Sequence, residues 1–220
     1  MAQQNYLRLG DTAPDFEADS TQGRISFHKW KEGKWAILFS HPGDYTPVCT
    51  TELGMTAKLQ PEFAKRNTLV IGLSVDNVDD HHGWVKDIET TQNCTVNYPI
   101  VADPDRTVAE TYGMIHPNSP HTMAGKLTVR TVWIIDPNNK VRLNLTYPAA
   151  TGRNFNEVMR VLDALQLTDN YKVATPVNWE QGQDCVVLPT ISTEDAKSLF
   201  PKGVTEVTPY LRLTPQPNLP

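Results

Sequence analysis

Cys49 is the residue whose type and setting point most directly to chemistry. It stands between an apolar run, Trp35-Ala36-Ile37-Leu38-Phe39, and a helical pattern opening Thr50-Thr51-Glu52-Leu53. A proline-bearing corner, His41-Pro42-Gly43-Asp44-Tyr45-Thr46-Pro47-Val48, precedes it. A thiol in the first turn of a helix meets N–H groups that have no intrahelical partner and the positive end of the dipole, so the thiolate is favoured over the thiol. Cys94, near a helix end, and Cys185, opening an apolar run, have no neighbouring cation or cap. Cysteines of that kind pack as small apolar residues. The three cysteines are widely separated and form no Cys-x-x-Cys pair, which argues against a dithiol motif, half of a zinc site or a disulfide framework. A low, odd count suits a reducing compartment.

His41 lies close enough across the corner to touch the same pocket, although a histidine at a strand end is equally well satisfied by its own neighbours. The pair His81-His82 reads as a solvated helix face, because adjacent helical residues point apart and no partner stands at ligand spacing. No metal or cofactor is expected.

The elements that must hold Cys49 are legible from periodicity. Trp35 to Ser40 and Leu69 to Val75 are apolar runs too short for free-standing helices and read as buried strands. Thr50 to Arg66 has helical spacing at Leu53, Ala57, Leu59 and Phe63, with a bend expected at Pro61. A second helical pattern, carrying Val78, Trp84, Val85 and Ile88, follows the second strand. Tyr98 to Ala102 reads as a short strand, Arg106 to Tyr112 as a short helix ended by Gly113, and Met114 to Leu127 as loop. Val129 to Ile135 and Lys140 to Tyr147 flank Asp136-Pro137-Asn138-Asn139, a hairpin signal, and Asn154 to Leu167 is an amphipathic helix. Near the N-terminus, Asp15 to Asp19 and Arg24 to His28 flank Ser20-Thr21-Gln22-Gly23 and read as a two-stranded flap. Helical crossovers between buried strands, followed by a late hairpin, predict an α/β protein of thioredoxin-like fold, with a central mixed sheet flanked by helices.

The chain of 220 residues suffices for one domain and an extension, which we place at 1–169 and 170–220. Proline-rich composition after Asn170 predicts a loosely structured extension that needs another surface to bury Val186, Val187, Leu188, Leu199 and Phe200. A net charge of -5 without a basic block gives no footprint for nucleic acid and disfavours anionic membranes. Met1 to Tyr6 lacks the pattern of a leader, and no apolar run approaches the ~18 residues of a membrane span, so a cytoplasmic protein without integral membrane association is expected.

Pro42, Thr46 and Cys49 match Pro-x-x-x-Thr-x-x-Cys, the signature of the peroxiredoxins. The stretches Phe39 to Gly54, Glu62 to Asn67, Tyr147 to Phe155, Ala174 to Val177, Leu188 to Thr190 and Tyr210 to Arg212 resemble the one-cysteine, or peroxiredoxin 6, branch. The resemblance runs from about residue 6 to the C-terminus. It implies a thiol peroxidase that reduces hydrogen peroxide and organic hydroperoxides, phospholipid hydroperoxides among them, through a Cys49 sulfenic acid.

Thiol ionisation alone does not make such an enzyme. A thiol of pKa ~8.5 is about 3% thiolate at pH 7, so complete ionisation gains at most ~30-fold, or about 2 kcal/mol. The site must also align the attack and stabilise the breaking O–O bond. The Thr46 hydroxyl can hold one peroxide oxygen and backbone N–H groups the other, while Pro42 shapes the loop and helps exclude water. By resemblance, Arg130 supplies fixed positive charge beside the sulfur, Arg153 is a second arginine and Glu52 orients the pair.

Two-cysteine relatives resolve the sulfenic acid with a C-terminal Val-Cys-Pro, whereas this chain has Ala174-Thr175-Pro176. The resemblance therefore implies an external thiol, glutathione delivered by a glutathione transferase, and a homodimer whose extension packs on the partner. Cys185 is the one thiol that a mobile extension could bring to a partner's Cys49. The branch is also associated with a phospholipase activity using Ser, His and Asp. His28 matches its histidine, but Lys34 and Asn138 stand at the other two positions and cannot act as nucleophile and orienting carboxylate, so that activity is expected to be absent. The alternatives are a dithiol oxidoreductase, against which the missing second cysteine speaks, and a non-catalytic holdase that would not need Cys49.

Overall fold

The computed structural model describes residues 7–123 and 125–219. Met1 to Tyr6, read above for the absence of a leader, lies outside the described residues. The chain divides into two compact units, 1–153 and 154–220.

In the first unit the elements are β1 (Glu17–Ser20), β2 (Gly23–Ser26), α1 (Phe27–Lys31), β3 (Trp35–Ser40), α2 (Pro47–Lys58), α3 (Gln60–Lys65) and β4 (Thr68–Ser74). They continue with α4 (Val78–Gln92), β5 (Ile100–Ala102), α5 (Thr107–Thr111), β6 (His121–Thr122), β7 (Gly125–Lys126), β8 (Arg130–Ile135) and β9 (Val141–Tyr147). Seven strands form one sheet in the order β2-β1-β5-β4-β3-β8-β9. β3, β4 and β5 run parallel, and β8 and β9 extend the sheet antiparallel on the β3 side. β1 and β2 extend it antiparallel on the other side, so the expected flap is part of the main sheet. This is the thioredoxin-like arrangement.

Alternation along the central strands builds two apolar faces. Ala36 and Leu38 of β3, Ile71 and Leu73 of β4, and Trp133 and Ile135 of β8 pack with Phe27 of α1 and Val108 and Ala109 of α5. On the opposite face Phe39 meets Tyr98 at 6.2 Å between ring centroids, and the Tyr98 hydroxyl donates to the Leu53 carbonyl of α2 at 2.9 Å. β3 thus ends between these layers, aimed at the corner that carries the proline motif.

Several expectations are corrected. Phe27 and His28, read as strand, begin helix α1, and the loop 114–127 holds the small hairpin β6–β7. The helix carrying Cys49 starts at Pro47, in the N1 position that tolerates a residue without an N–H. Pro61 does not bend it: α2 ends at Lys58, and Pro61 falls in the first turn of α3, where the missing N–H is again free of cost.

The second unit contains α6 (Phe155–Asn170), β10 (Val173–Ala174), β11 (Cys185–Val187), α7 (Thr193–Leu199), β12 (Thr205–Thr208) and β13 (Leu211–Thr214). Its strands form a sheet ordered β10-β11-β13-β12. Ala164, Leu167, Val173, Trp179, Cys185, Val187, Ala196 and Phe200 make its core. The segment read as loosely structured is therefore folded and buries Val187 and Phe200 within itself. The unit begins at Asn154, not at 170, because α6 supplies Ala164 and Leu167 to this core. No helix of the described residues is long and apolar enough to cross a membrane.

Candidate active site

Cys49 is the third residue of α2 and is fully buried, at 0% exposure. Thr46 occupies the N-cap position with extended backbone, yet its side chain does not cap the helix. Its hydroxyl donates instead to the Gly43 carbonyl at 2.9 Å. Two consequences follow for chemistry. The first-turn N–H groups are not quenched by a cap and stay available to an anion. The Thr46 oxygen, its proton committed to Gly43, presents lone pairs, so it serves an incoming O–H as acceptor.

Arg130, the first residue of β8, reaches Cys49 from the sheet. Its Nη1 donates to Sγ at 3.3 Å and to Glu52 Oε2 at 2.6 Å, while Nε donates to the Ala149 carbonyl at 2.8 Å. Glu52, one helical turn beyond Cys49 on α2, is also gripped by Arg153. That residue donates its backbone N–H at 2.7 Å and Nε at 3.0 Å to Oε1, and Nη2 at 2.6 Å to Oε2. Arg153 Nη1 reaches the Ser40 and Thr131 carbonyls at 2.8 and 3.3 Å, and the guanidinium lies 4.8 Å over the Phe39 ring. Burial alone would push the Glu52 carboxyl up, but the charge and hydrogen bonds of Arg153 and the charge of Arg130 outweigh it and hold the group below its ordinary value.

These side chains are almost fully buried, at 3% exposure for Arg130, 4% for Glu52 and 0% for Arg153. Two guanidiniums share one carboxylate there, so these three side chains carry more positive than negative charge in a medium that penalises the imbalance. A Cys49 thiolate closes that balance. The same donors that satisfy the thiolate can stabilise negative charge on oxygen as a bond to sulfur forms. Cys49, Arg130, Glu52 and Arg153 of the expected set therefore come together through bonds between side chains, while Thr46 stands three residues before Cys49 at the start of the helix and the buried Pro42 lies in the preceding corner.

His41 is buried at the end of β3, with its Nε2 at 2.8 Å from Asp44 Oδ1 and its ring 5.2 Å from that of Trp84. Its Nδ1 makes no hydrogen bond among the described residues. His81, read as solvated, is instead buried: Nδ1 bonds Asp44 Oδ2 at 2.5 Å and Nε2 lies 3.1 Å from the Val101 carbonyl. The available signal was the stripe His81, Trp84 and Ile88, which is the buried side of α4. Only His82 faces solvent. Sequence reasoning assigned nothing to Asp44, which links both histidines to the corner. His41, Asp44 and Asp76 bring ligating atoms within 4.8 Å of one another, but those atoms are engaged by the histidines, by Ser74 Oγ and by the Asp44 N–H.

Of the residues weighed for lipid hydrolysis, His28 bonds the Ala13 carbonyl at 2.8 Å, and Lys34 and Asn138 are exposed. Cys185 is buried in the core of the second unit, and burial pushes its thiol up.

Comparison with known proteins gives a consistent set of likenesses. Residues 9–144 match the AhpC/TSA family, and residues 164–203 match the C-terminal domain of 1-Cys peroxiredoxin. A 1-Cys peroxiredoxin of Dictyostelium discoideum is 56% identical, covering 97% of this chain and 87% of the relative. Human peroxiredoxin-6 is 52% identical, covering 96% and 98%. Among solved structures, a cysteine-to-serine mutant of peroxiredoxin 6 from Arenicola marina superposes with a TM-score of 0.90 at 47% identity, covering 97% of this chain and all of that one. A yeast mitochondrial 1-Cys peroxiredoxin, whose structure concerns thiol resolution via the glutathione and thioredoxin systems, gives a TM-score of 0.86 at 44% identity, covering 95% and 99%.

Proposed function

The chain belongs to the AhpC/TSA family, in its one-cysteine peroxiredoxin branch, and from that premise we propose how its residues carry out thiol-dependent peroxide reduction. The Cys49 thiolate attacks one oxygen of a hydroperoxide, the O–O bond breaks, and the departing oxygen leaves as water or alcohol after taking a proton. Sulfur, oxidised by two electrons, keeps the other oxygen as a sulfenic acid. Thr46 Oγ1 accepts from the peroxide O–H, first-turn N–H groups and Arg130 hold the developing oxyanion, and Glu52 and Arg153 fix Arg130 in place. Pro42 shapes the corner, and His41 packs behind it.

The observation that carries this reading is the Arg130 Nη1 donor at 3.3 Å from Cys49 Sγ, itself held by a carboxylate at 2.6 Å. Cys49→Ser is expected to abolish peroxide consumption. Arg130→Lys, which keeps charge but loses the planar fork, is expected to lower kcat/KM about 100-fold. Consumption by Cys49→Ser at the wild-type rate would sink the reading and favour a holdase role.

For recycling we propose an external thiol, glutathione supplied by a glutathione transferase, with Thr175 standing where a resolving cysteine would be needed. Parallel assays with glutathione, thioredoxin and ascorbate identify the reductant. Burial of Cys185 weighs against a disulfide to Cys49, and mass spectrometry after one equivalent of peroxide tests this directly. We further propose a cytoplasmic homodimer without phospholipase activity; a lipase assay with Lys34→Ser as comparator checks the last point.

A further inference from the structure

The catalytic corner is tied to α4 by a hydrogen-bonded strut that the peroxiredoxin motif does not contain. Thr50 follows Cys49, and its hydroxyl donates to the Thr46 carbonyl at 2.8 Å. The same hydroxyl accepts the indole N–H of Trp84 at 3.2 Å. The backbone N–H of Thr50 also ends on the Thr46 carbonyl, at 3.0 Å. Trp84 is buried at 0% exposure, so water does not replace this partner, and its ring rests 5.2 Å from His41 and 6.4 Å from Tyr45 on the far side of the corner.

We propose that Thr50 is a positioning residue for peroxide reduction, acting through Thr46, and that Trp84 locks it in that role. The Thr46 carbonyl fixes the peptide plane into Pro47 and hence the start of α2. The orientation of that plane sets where Thr46 Oγ1 and the Cys49 N–H lie relative to the sulfur. With one donor and one acceptor bond, the Thr50 hydroxyl has its rotor fully specified, and Trp84 reads both ends of the corner at once. Misplacement of reacting groups by about 1 Å costs up to ~100-fold in rate, so a modest loosening is measurable. The strut also ties down the first turn of the helix that carries Cys49, a residue with no exposed surface. Its loss therefore acts in opposite directions on two reactions: peroxide reduction slows, while capture of Cys49 by a bulky reagent quickens.

The test uses Thr50→Val, which keeps shape but removes both bonds, with Thr50→Ser as the conservative variant. Thr50→Val is expected to reduce hydrogen peroxide roughly tenfold more slowly, equivalent to about 1.4 kcal/mol in the barrier. Its Cys49, followed by mass spectrometry, is expected to react several-fold faster with a maleimide. Thr50→Ser is expected to match the wild type in both. Trp84→Phe, which removes the donor from the opposite end, is expected to move both rates in the directions of Thr50→Val, and serves alone if that variant does not fold. Peroxide reduction by Thr50→Val within twofold of wild type, or Thr50→Ser as slow as Thr50→Val, overturns the proposal. The inference rests on Cys49 as the peroxide-reactive thiol, so Cys49→Ser is assayed in parallel: its activity reports on that reading, and the Thr50 pair reports on the strut.

Discussion

At the scale of single residues, Glu52 concentrates the most consequence in the fewest atoms. Its two oxygens accept from Arg130 once and from Arg153 three times. Glu52→Gln removes the carboxylate that two buried guanidiniums share, and breaking buried pairs of this kind costs ~3–5 kcal/mol. We expect that loss in urea denaturation, with kcat/KM for peroxide down at least tenfold, because Arg130 loses the partner that aims it. Asp44 contributes to the acid limit. Burial alone would raise its carboxyl, but hydrogen bonds and charge from His41 and His81 hold it at about 2 against an ordinary 3.8. An acid depressed by folding binds its proton more tightly in the unfolded chain, so its contribution is complete above about pH 4 and disappears as pH falls through about 2. Asp44→Asn is therefore expected to be less stable at pH 6 and to lose less between pH 4 and 2, as read by denaturant midpoints. The arginines and Glu52 were named by resemblance alone, whereas the cysteine was legible from its setting and its threonine from the spacing of the motif. Asp44, His81 and Trp84 were not, because their partners are brought close only by the packing of α4 on the corner.

At the scale of elements, α2, which carries Cys49, packs against α4 on one side and is bonded to β8 through Arg130 on another. Gly54 is the point of closest approach: a Cβ there would meet Gln92 Cγ at 2.4 Å and Cβ at 2.5 Å. Alanine in a helix gains up to ~1 kcal/mol over glycine, whereas overpacking costs ~1–3 kcal/mol, and Gln92 Cβ, fixed to its own backbone, cannot swing aside. Gly54→Ala is accordingly expected to lower thermal stability and to slow peroxide reduction together, while Gly54→Ala with Gln92→Ala recovers part of both. Strand positions were readable because continuous apolar runs of six or seven residues suit strands covered on both faces. The break between α2 and α3 was misplaced because a proline in a helical pattern marks either a kink or a new first turn, and the sequence alone does not distinguish them. Helix α1 was missed because five residues are too few to show a period.

At the scale of the whole molecule, proline content suggested a loose tail where the chain folds a second sheet. Its core forms around Trp179, which is fully buried with its indole N–H on the Gln183 carbonyl at 3.1 Å. The strands around it pair short segments from distant positions, as Cys185 with Thr214, and leave no local periodicity. Trp179→Ala is expected to destabilise residues 154–220 by ~3–5 kcal/mol and to expose them to limited proteolysis. Val177, Val207 and Tyr210 nevertheless remain largely exposed on that unit, where the proposed homodimer would cover them. Combined Val207→Asp and Tyr210→Asp substitution is expected to shift a homodimer toward monomer in sedimentation velocity. The chain as a whole carries a net charge of -5, while the buried cluster beside Cys49 sets two guanidiniums against one carboxylate, an excess that the thiolate of the proposed mechanism would neutralise. In the proposed cycle each turnover replaces that thiolate by a sulfenic acid, which is neutral when protonated. The next anion admitted restores neutrality, and the natural candidate is the thiolate of the reductant itself, so recycling rates are expected to follow the reductant's ionised fraction as pH rises. On that reading, oxidation of the sulfur itself favours approach of the ionised form of the thiol that reduces it.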